Sequence, residues 1–161
     1  MDHTTVVSAL LHDIVEDTEV KLSDIEEEFG SDVALLVDGV TKVENIAFRS
    51  KKHKQAENFT KLFLSLARDL RVIIIKFADR LNNMETIQYL SSKKRKEIAL
   101  ETKEIFVPLA HRLGMAQLKW KLEDLSLKCL DFRAFNGIKK KMETSSRLNE
   151  DILSNAIKPI K

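Results

Sequence analysis

Glycine and proline together supply six of the 161 residues, against about 12% in an average globular chain. The tight turns that a many-stranded sheet requires are therefore largely missing. Cysteine is scarcer still: Cys129 is the only one, which excludes an intrachain disulfide and agrees with a reducing, cytoplasmic setting. No apolar run approaches the roughly 20 residues of a membrane span, and Met1-Asp2-His3 lacks the basic start of a secretory leader. Neither charge dominates. Lys and Arg number 27 against 25 Asp and Glu, a formal +2, so an obvious polycation or acidic tail is excluded. What is there, 43% hydrophobic and 32% charged residues, can bury one core. An all-α domain is the expected class.

The balanced total hides a division along the chain. Residues 1–48 carry 12 acids and two bases, Lys21 and Lys42, whereas residues 49–161 carry 25 bases and 13 acids. Two complementary faces of one domain explain such a split, and so does a metal-collecting segment beside an anion-binding surface.

Helical signals run from end to end. Val6 to Val15 is apolar enough for a largely buried helix closing near Asp17-Thr18. Ser23 stands three residues before Glu26, the capping-box spacing, and Gly30 follows Phe29 where a helix would stop. Ser31 can cap the next helix, through Val33, Leu35, Leu36 and Val40, and a long loop is expected over Asn45 to Lys54. Phe59, Leu62, Phe63 and Leu66 have the spacing of an amphipathic helix ending near Asp69. Val72-Ile73-Ile74-Ile75 is β-branched, yet it continues into Phe77, Ala78 and Leu81 with helical spacing, and is read as a buried helix. Further helices are expected over Lys93 to Phe106, Ala116 to Leu130, Phe132 to Glu143 and Leu148 to Ile157. Pro108 can start or kink an element, with joints at Gly114 and Asp131.

Two segments carry chemistry. In Leu10-Leu11-His12-Asp13-Ile14-Val15-Glu16-Asp17-Thr18, four ionisable groups interrupt an apolar helix. Helical spacing lets His12 meet Glu16, and Asp13 meet Glu16 and Asp17. An imidazole beside a carboxylate suits a divalent first-row metal, and the two following acids are placed to handle protons or position water. Solvated acids at a helix end with a capped histidine explain the same letters. The second segment, Lys76-Phe77-Ala78-Asp79-Arg80-Leu81-Asn82-Asn83-Met84-Glu85-Thr86, ends an apolar helix on Asp79, with Asn83 one turn further. A surface pair of Asp79 with Arg80 or Lys76 is the plainer alternative.

Together these segments resemble the HD phosphohydrolase superfamily, and specifically the hydrolase domain of the RelA/SpoT family, which makes and degrades the alarmone (p)ppGpp. His12-Asp13 looks like the family's namesake pair, Glu16-Asp17 like its acidic pair, and Ala78-Asp79-Arg80-Leu81 with Asn83-Met84 like its second metal motif. Gln55-Ala56-Glu57-Asn58-Phe59, Pro108 to Gly114 and Lys119 to Leu125 are also similar. The resemblance implies an HD-type helical bundle over residues 1–130 and a helical connection over 131–161 toward a synthetase domain whose motifs are absent. It implies a hydrolase that removes the 3′-pyrophosphate of ppGpp or pppGpp with a divalent cation, manganese in the usual case. By position His12, Asp13 and Asp79 would hold the metal. Glu16 and Asp17 would activate water, and Asn83 and Thr86 would line the nucleotide pocket.

The chain departs from the family pattern in two places. The family's earlier metal-binding histidine, on an upstream helix, has no counterpart, so the domain is expected to lack its N-terminal helices. The position after Leu81, commonly histidine in active members, is Asn82, which cannot titrate near neutrality. A hydrolase and a catalytically impaired scaffold that binds nucleotide or a partner without turnover both remain open. Arg49 to Lys54 and Lys93 to Lys96 lack interleaved aromatics, so solvated faces are expected there rather than a nucleic-acid site. His111 is read as structural, Trp120 and most phenylalanines as core, and Cys129 as an inert thiol. The expected partner is a small guanine nucleotide, with neither nucleic acid nor membrane; the oligomeric state stays open.

Overall fold

The computed structural model describes residues 2–48 and 69–157, with side chains over 2–42 and 69–145. Every regular element among the described residues is helical, as the shortage of turn formers implies. The chain divides into two compact units, residues 1–79 and 80–161.

The first unit holds α1 (His3–Leu11), α2 (Ile14–Asp17), α3 (Leu22–Phe29), α4 (Ser31–Phe48) and the start of α5 (Leu70–Glu85). Asp2 opens α1 by accepting from the Thr5 amide at 2.8 Å, satisfying one of the donors that a helix start leaves free. The expected single helix through Val15 is instead broken at His12 and Asp13. Its burial is also less than expected: Val6 and Leu10 are exposed, while Val7, Leu11, Ile14 and Val15 pack on a core of Ile25, Val33, Ala34 and Val37.

The capping signal sits two residues earlier than the Ser23–Glu26 spacing implies. The Lys21 amide donates to Asp24 at 2.9 Å, and α3 begins at Leu22. Gly30 does end α3, at φ +87°, a region where L side chains are strained. Helix α4 then starts at Ser31 and runs through Asn45 to Phe48, where a loop is expected. Its buried line is Val33, Leu36, Val37 and Val40, with Leu35 outside it at 68% exposure. The rest of that loop and the amphipathic helix of Phe59 to Leu66 lie outside the described residues.

The β-branched run of α5 is helical. Val72, Ile73, Ile75 and Phe77 are buried on it and Ile74 is not. Each fully buried apolar side chain contributes about 1.5–3 kcal/mol, enough to override a weak strand preference. Gly39 allows the close approach: a Cβ there would lie 2.9 Å from Val72 Cγ2.

The second unit contains the end of α5, a 3₁₀ turn (Ile87–Tyr89), α6 (Ser92–Glu101), a π-helical turn (Thr102–Phe106), α7 (Val107–Arg112), α8 (Ala116–Leu130) and α9 (Phe132–Ile157). The π turn precedes Pro108, which has no amide for the Glu104 carbonyl and crowds it, so the ladder widens. Val107 donates to the Thr102 carbonyl instead. Gly114, at φ +72°, and Asp131 are joints as expected. Residues 144–147 are not a joint, since α9 is continuous. Met84, Ala99, Phe106, Leu109 and Leu122 are buried here, while Trp120, expected in the core, is 61% exposed. No helix among the described residues is long and apolar enough to cross a membrane.

Candidate metal centre

The break between α1 and α2 aims two of the predicted ligands. Asp13 sits at φ −94°, ψ −8°, in the sparsely allowed bridge region. Its carbonyl accepts from the amides of Glu16 and Asp17 at 3.1 and 2.9 Å, restarting the helix. An aspartate at a helix start usually turns its carboxylate onto the free amides. Asp13 makes no such cap; its Oδ1 lies 2.9 Å from His12 Nε2.

Helix α5 supplies the third group. Val72, Ile75, Lys76 and Asp79 share one face by helical spacing, and the first three are buried. Asp79 ends that stripe with Oδ1 3.7 Å from His12 Nε2. The starts of α1 and α5 are tied by Arg71, which meets Asp69 at 2.6 Å and Asp2 at 3.3 Å. Arg71 holds both carboxyls below the ordinary aspartate value, together with Thr5 as the main cause at Asp2.

His12 Nδ1 lies 2.8 Å from the Ala9 carbonyl, which can only accept, so Nδ1 carries a proton and Nε2 faces the carboxylates, offering its lone pair to a cation when the ring is neutral. Nε2 is sealed from solvent without an aligned hydrogen-bond partner. The Asp79 carboxylate raises the His12 pKa above its ordinary value of 6.5; the Ala9 carbonyl and the Asp13 charge add to this, and partial burial opposes it. His12, Asp13 and Asp79 each offer one ligand atom, all within 4.8 Å of one another. A buried nitrogen with no aligned partner, facing two carboxylate oxygens, fits a divalent cation of the borderline type that imidazole and carboxylate share. The hydrogen bond at the far nitrogen is the usual device for fixing a metal-binding imidazole.

Glu16 and Asp17 follow on α2, exposed and outside this cluster. Of the four groups in the first segment, His12 and Asp13 lie in the cluster. Asn83 and Thr86 belong to the second unit, where Thr86 Oγ1 donates to the Asn82 carbonyl at 2.9 Å. His111 is exposed on α7 rather than packed inside. Arg80 does not take up Asp79; it pairs with Glu101 at 3.1 Å and stacks 4.2 Å from the Phe106 ring centre. Sequence reasoning missed Glu101 and Gly39. A lone glycine inside the apolar run Val33–Val40 was the available signal for the second.

A helical fold with a histidine–aspartate pair at a helix break and a second aspartate on a buried helix is the arrangement of an HD domain. A family model described as an HD domain matches residues 1–116, and the chain belongs to that family. Within it, the chain is 43% identical over its whole length to the guanosine-3′,5′-bis(diphosphate) 3′-pyrophosphohydrolase of Haemophilus influenzae, covering 24% of that protein. It is 47% identical over 152 residues to a probable enzyme of the same name from Synechocystis sp., covering 91% of this chain and 20% of the relative. To the bifunctional (p)ppGpp synthase/hydrolase SpoT of Escherichia coli it is 42% identical over 160 residues, covering 99% of this chain and 23% of the relative. The RelA/SpoT resemblance read from the motifs is thus borne out. The chain spans about a quarter of the length of these relatives.

Proposed function

We propose that this chain is a hydrolytic module that removes the 3′-pyrophosphate of ppGpp or pppGpp, giving GDP or GTP and pyrophosphate. His12, Asp13 and Asp79 hold a divalent cation, manganese, and the setting is the cytoplasm. The observation that carries the reading is the sealed Nε2 of His12, its other nitrogen pinned by Ala9, facing two carboxylate oxygens. The names of the relatives supply the substrate. When bound, such a cation supplies Lewis acidity toward a phosphoryl oxygen and acidifies water.

The chain's own groups account for the rest. The Ala9 carbonyl fixes the imidazole, and the buried face of α5 fixes Asp79. Water forms a new bond to the phosphorus attached to the 3′ oxygen as that phosphorus–oxygen bond breaks. The proton lost by water passes to a carboxylate, for which Glu16 and Asp17 are the candidates, and the 3′ oxygen regains one from solvent. Asn83 and Thr86 are proposed nucleotide contacts from the resemblance.

The test is pyrophosphate release from ppGpp with manganese, with Asp79→Ala as control. Release by the wild-type chain alone supports the reading, and equal release by both overturns it. The exposure of Glu16 and Asp17 outside the cluster, with Asn82 at the family's histidine position, favours a second reading: binding without turnover. Manganese binding with no pyrophosphate release would select it.

A further inference from the structure

The second unit contains a cavity of about 620 Å³, within the roughly 300–1,000 Å³ range of small-molecule sites. It shares no residue with the metal centre and does not depend on that reading. One wall is apolar: Met84, almost wholly buried, with Leu125 and the exposed ring of Phe132. Methionine sulfur makes favourable contacts with aromatic rings, so Met84 in the lining favours an aromatic occupant.

The polar wall is cationic. Arg95, Lys96 and Lys128 all line the cavity. Other cations of this unit have acids: Arg80 has Glu101 at 3.1 Å, Lys119 has Glu123 at 3.4 Å and Lys121 has Glu85 at 2.5 Å. Among the described residues no carboxylate pairs with the three cavity cations, and Arg95 is held only by the Ser92 hydroxyl at 3.1 Å. The cavity's one acid, Glu85, is already neutralised by Lys121. Ser92 opens the ten-residue helix α6, so the partial positive charge of a helix start falls on the same wall.

The geometry points to a binding site for a small aromatic phosphate: a flat ring against Met84, Leu125 and Phe132, with its dianionic head on Arg95, Lys96 and Lys128. A neutral ring would leave three cations uncompensated. A bare phosphate would leave the apolar wall wet.

Cys129 lines the cavity and is the only thiol in the chain, so it reports occupancy. The experiment follows its alkylation by N-ethylmaleimide, a neutral reagent, by mass spectrometry while 1-naphthyl phosphate is titrated in. Saturable protection is expected, weakened about fivefold or more in Lys96→Gln/Lys128→Gln, from two rim charge contacts. Raising salt from about 0.05 to 0.5 M should weaken it in the wild-type chain as well, because exposed charges are screened over a few ångströms there. Inorganic phosphate and 1-naphthol should each protect far less than the combined molecule. No protection at millimolar naphthyl phosphate would overturn the proposal. So would protection unchanged by salt and by the lysine substitutions, or equal protection by naphthol.

Discussion

Asp79 and Arg80 are neighbours in sequence, opposite in charge and both largely withdrawn from water, yet their surroundings differ in kind. Arg80 meets one carboxylate, Glu101, and one ring, Phe106, so its charge is answered within the protein. Asp79 joins Asp13 around a single imidazole, and acid outnumbers base two to one in that cluster. A buried pair is balanced by its own members. The trio, with His12 and Asp79 half-buried and Asp13 exposed, has the donor set of a divalent cation site.

The sharpest way to break the comparison is to unbalance the structural pair. Glu101→Ala leaves the Arg80 guanidinium buried with only the Phe106 ring, and should cost about 3–5 kcal/mol, read by denaturant unfolding. A loss below about 1 kcal/mol would mean that solvent reaches the pair. Gly39→Ala should cost about 2 kcal/mol, because β-branched Val72 cannot yield easily at 2.9 Å. Because Asp79 rides on the same helix, manganese affinity should fall with it, measured by electron paramagnetic resonance.

The pH dependence distinguishes the trio further. The folded state raises the His12 pKa above 6.5. In the metal-free protein His12 therefore contributes stability fully below the unfolded value of 6.5, and that contribution fades as pH rises through the folded pKa. Metal binding has the opposite slope, because the ligand must be neutral. Manganese affinity should rise about tenfold per pH unit up to the folded pKa and level off above it. Unfolding and manganese titrations between acid and mildly alkaline pH check both slopes. The smallest effect expected is on metal-free stability in Asp79→Asn: within about 1 kcal/mol of wild type, since relief from Asp13 offsets the lost attraction to His12. Unfolding by denaturant without metal reads it.

Much of the fold was legible because helix signals are local. Gly30, Gly114 and Asp131 punctuate where backbone physics demands it, and the crowding of Val72 to Phe77 reflects genuine burial. The errors share one cause, which is that a sequence pattern does not say which neighbours are present. Trp120 is apolar yet 61% exposed, and Leu35 falls off the buried line of α4. At the site, His12 and Asp13 were visible as charges breaking an apolar run. Asp79, which the fold brings beside them, lies far along the chain and was reached through motif resemblance rather than spacing. Spacing alone pointed to Glu16 and Asp17, which follow on α2 outside the His12–Asp13–Asp79 cluster. The cations Arg95 and Lys96 read as a solvated run, and only packing reveals a cavity beneath them.

The central claim is that the His12–Asp13–Asp79 trio is completed by a metal ion. Its most direct test is an equilibrium manganese titration of the wild-type chain and Asp79→Asn, followed by the paramagnetic resonance of free manganese. The account predicts one ion bound per wild-type chain and affinity lower by about 100-fold in the variant. Equal binding by the two proteins, with the variant folded, would contradict it.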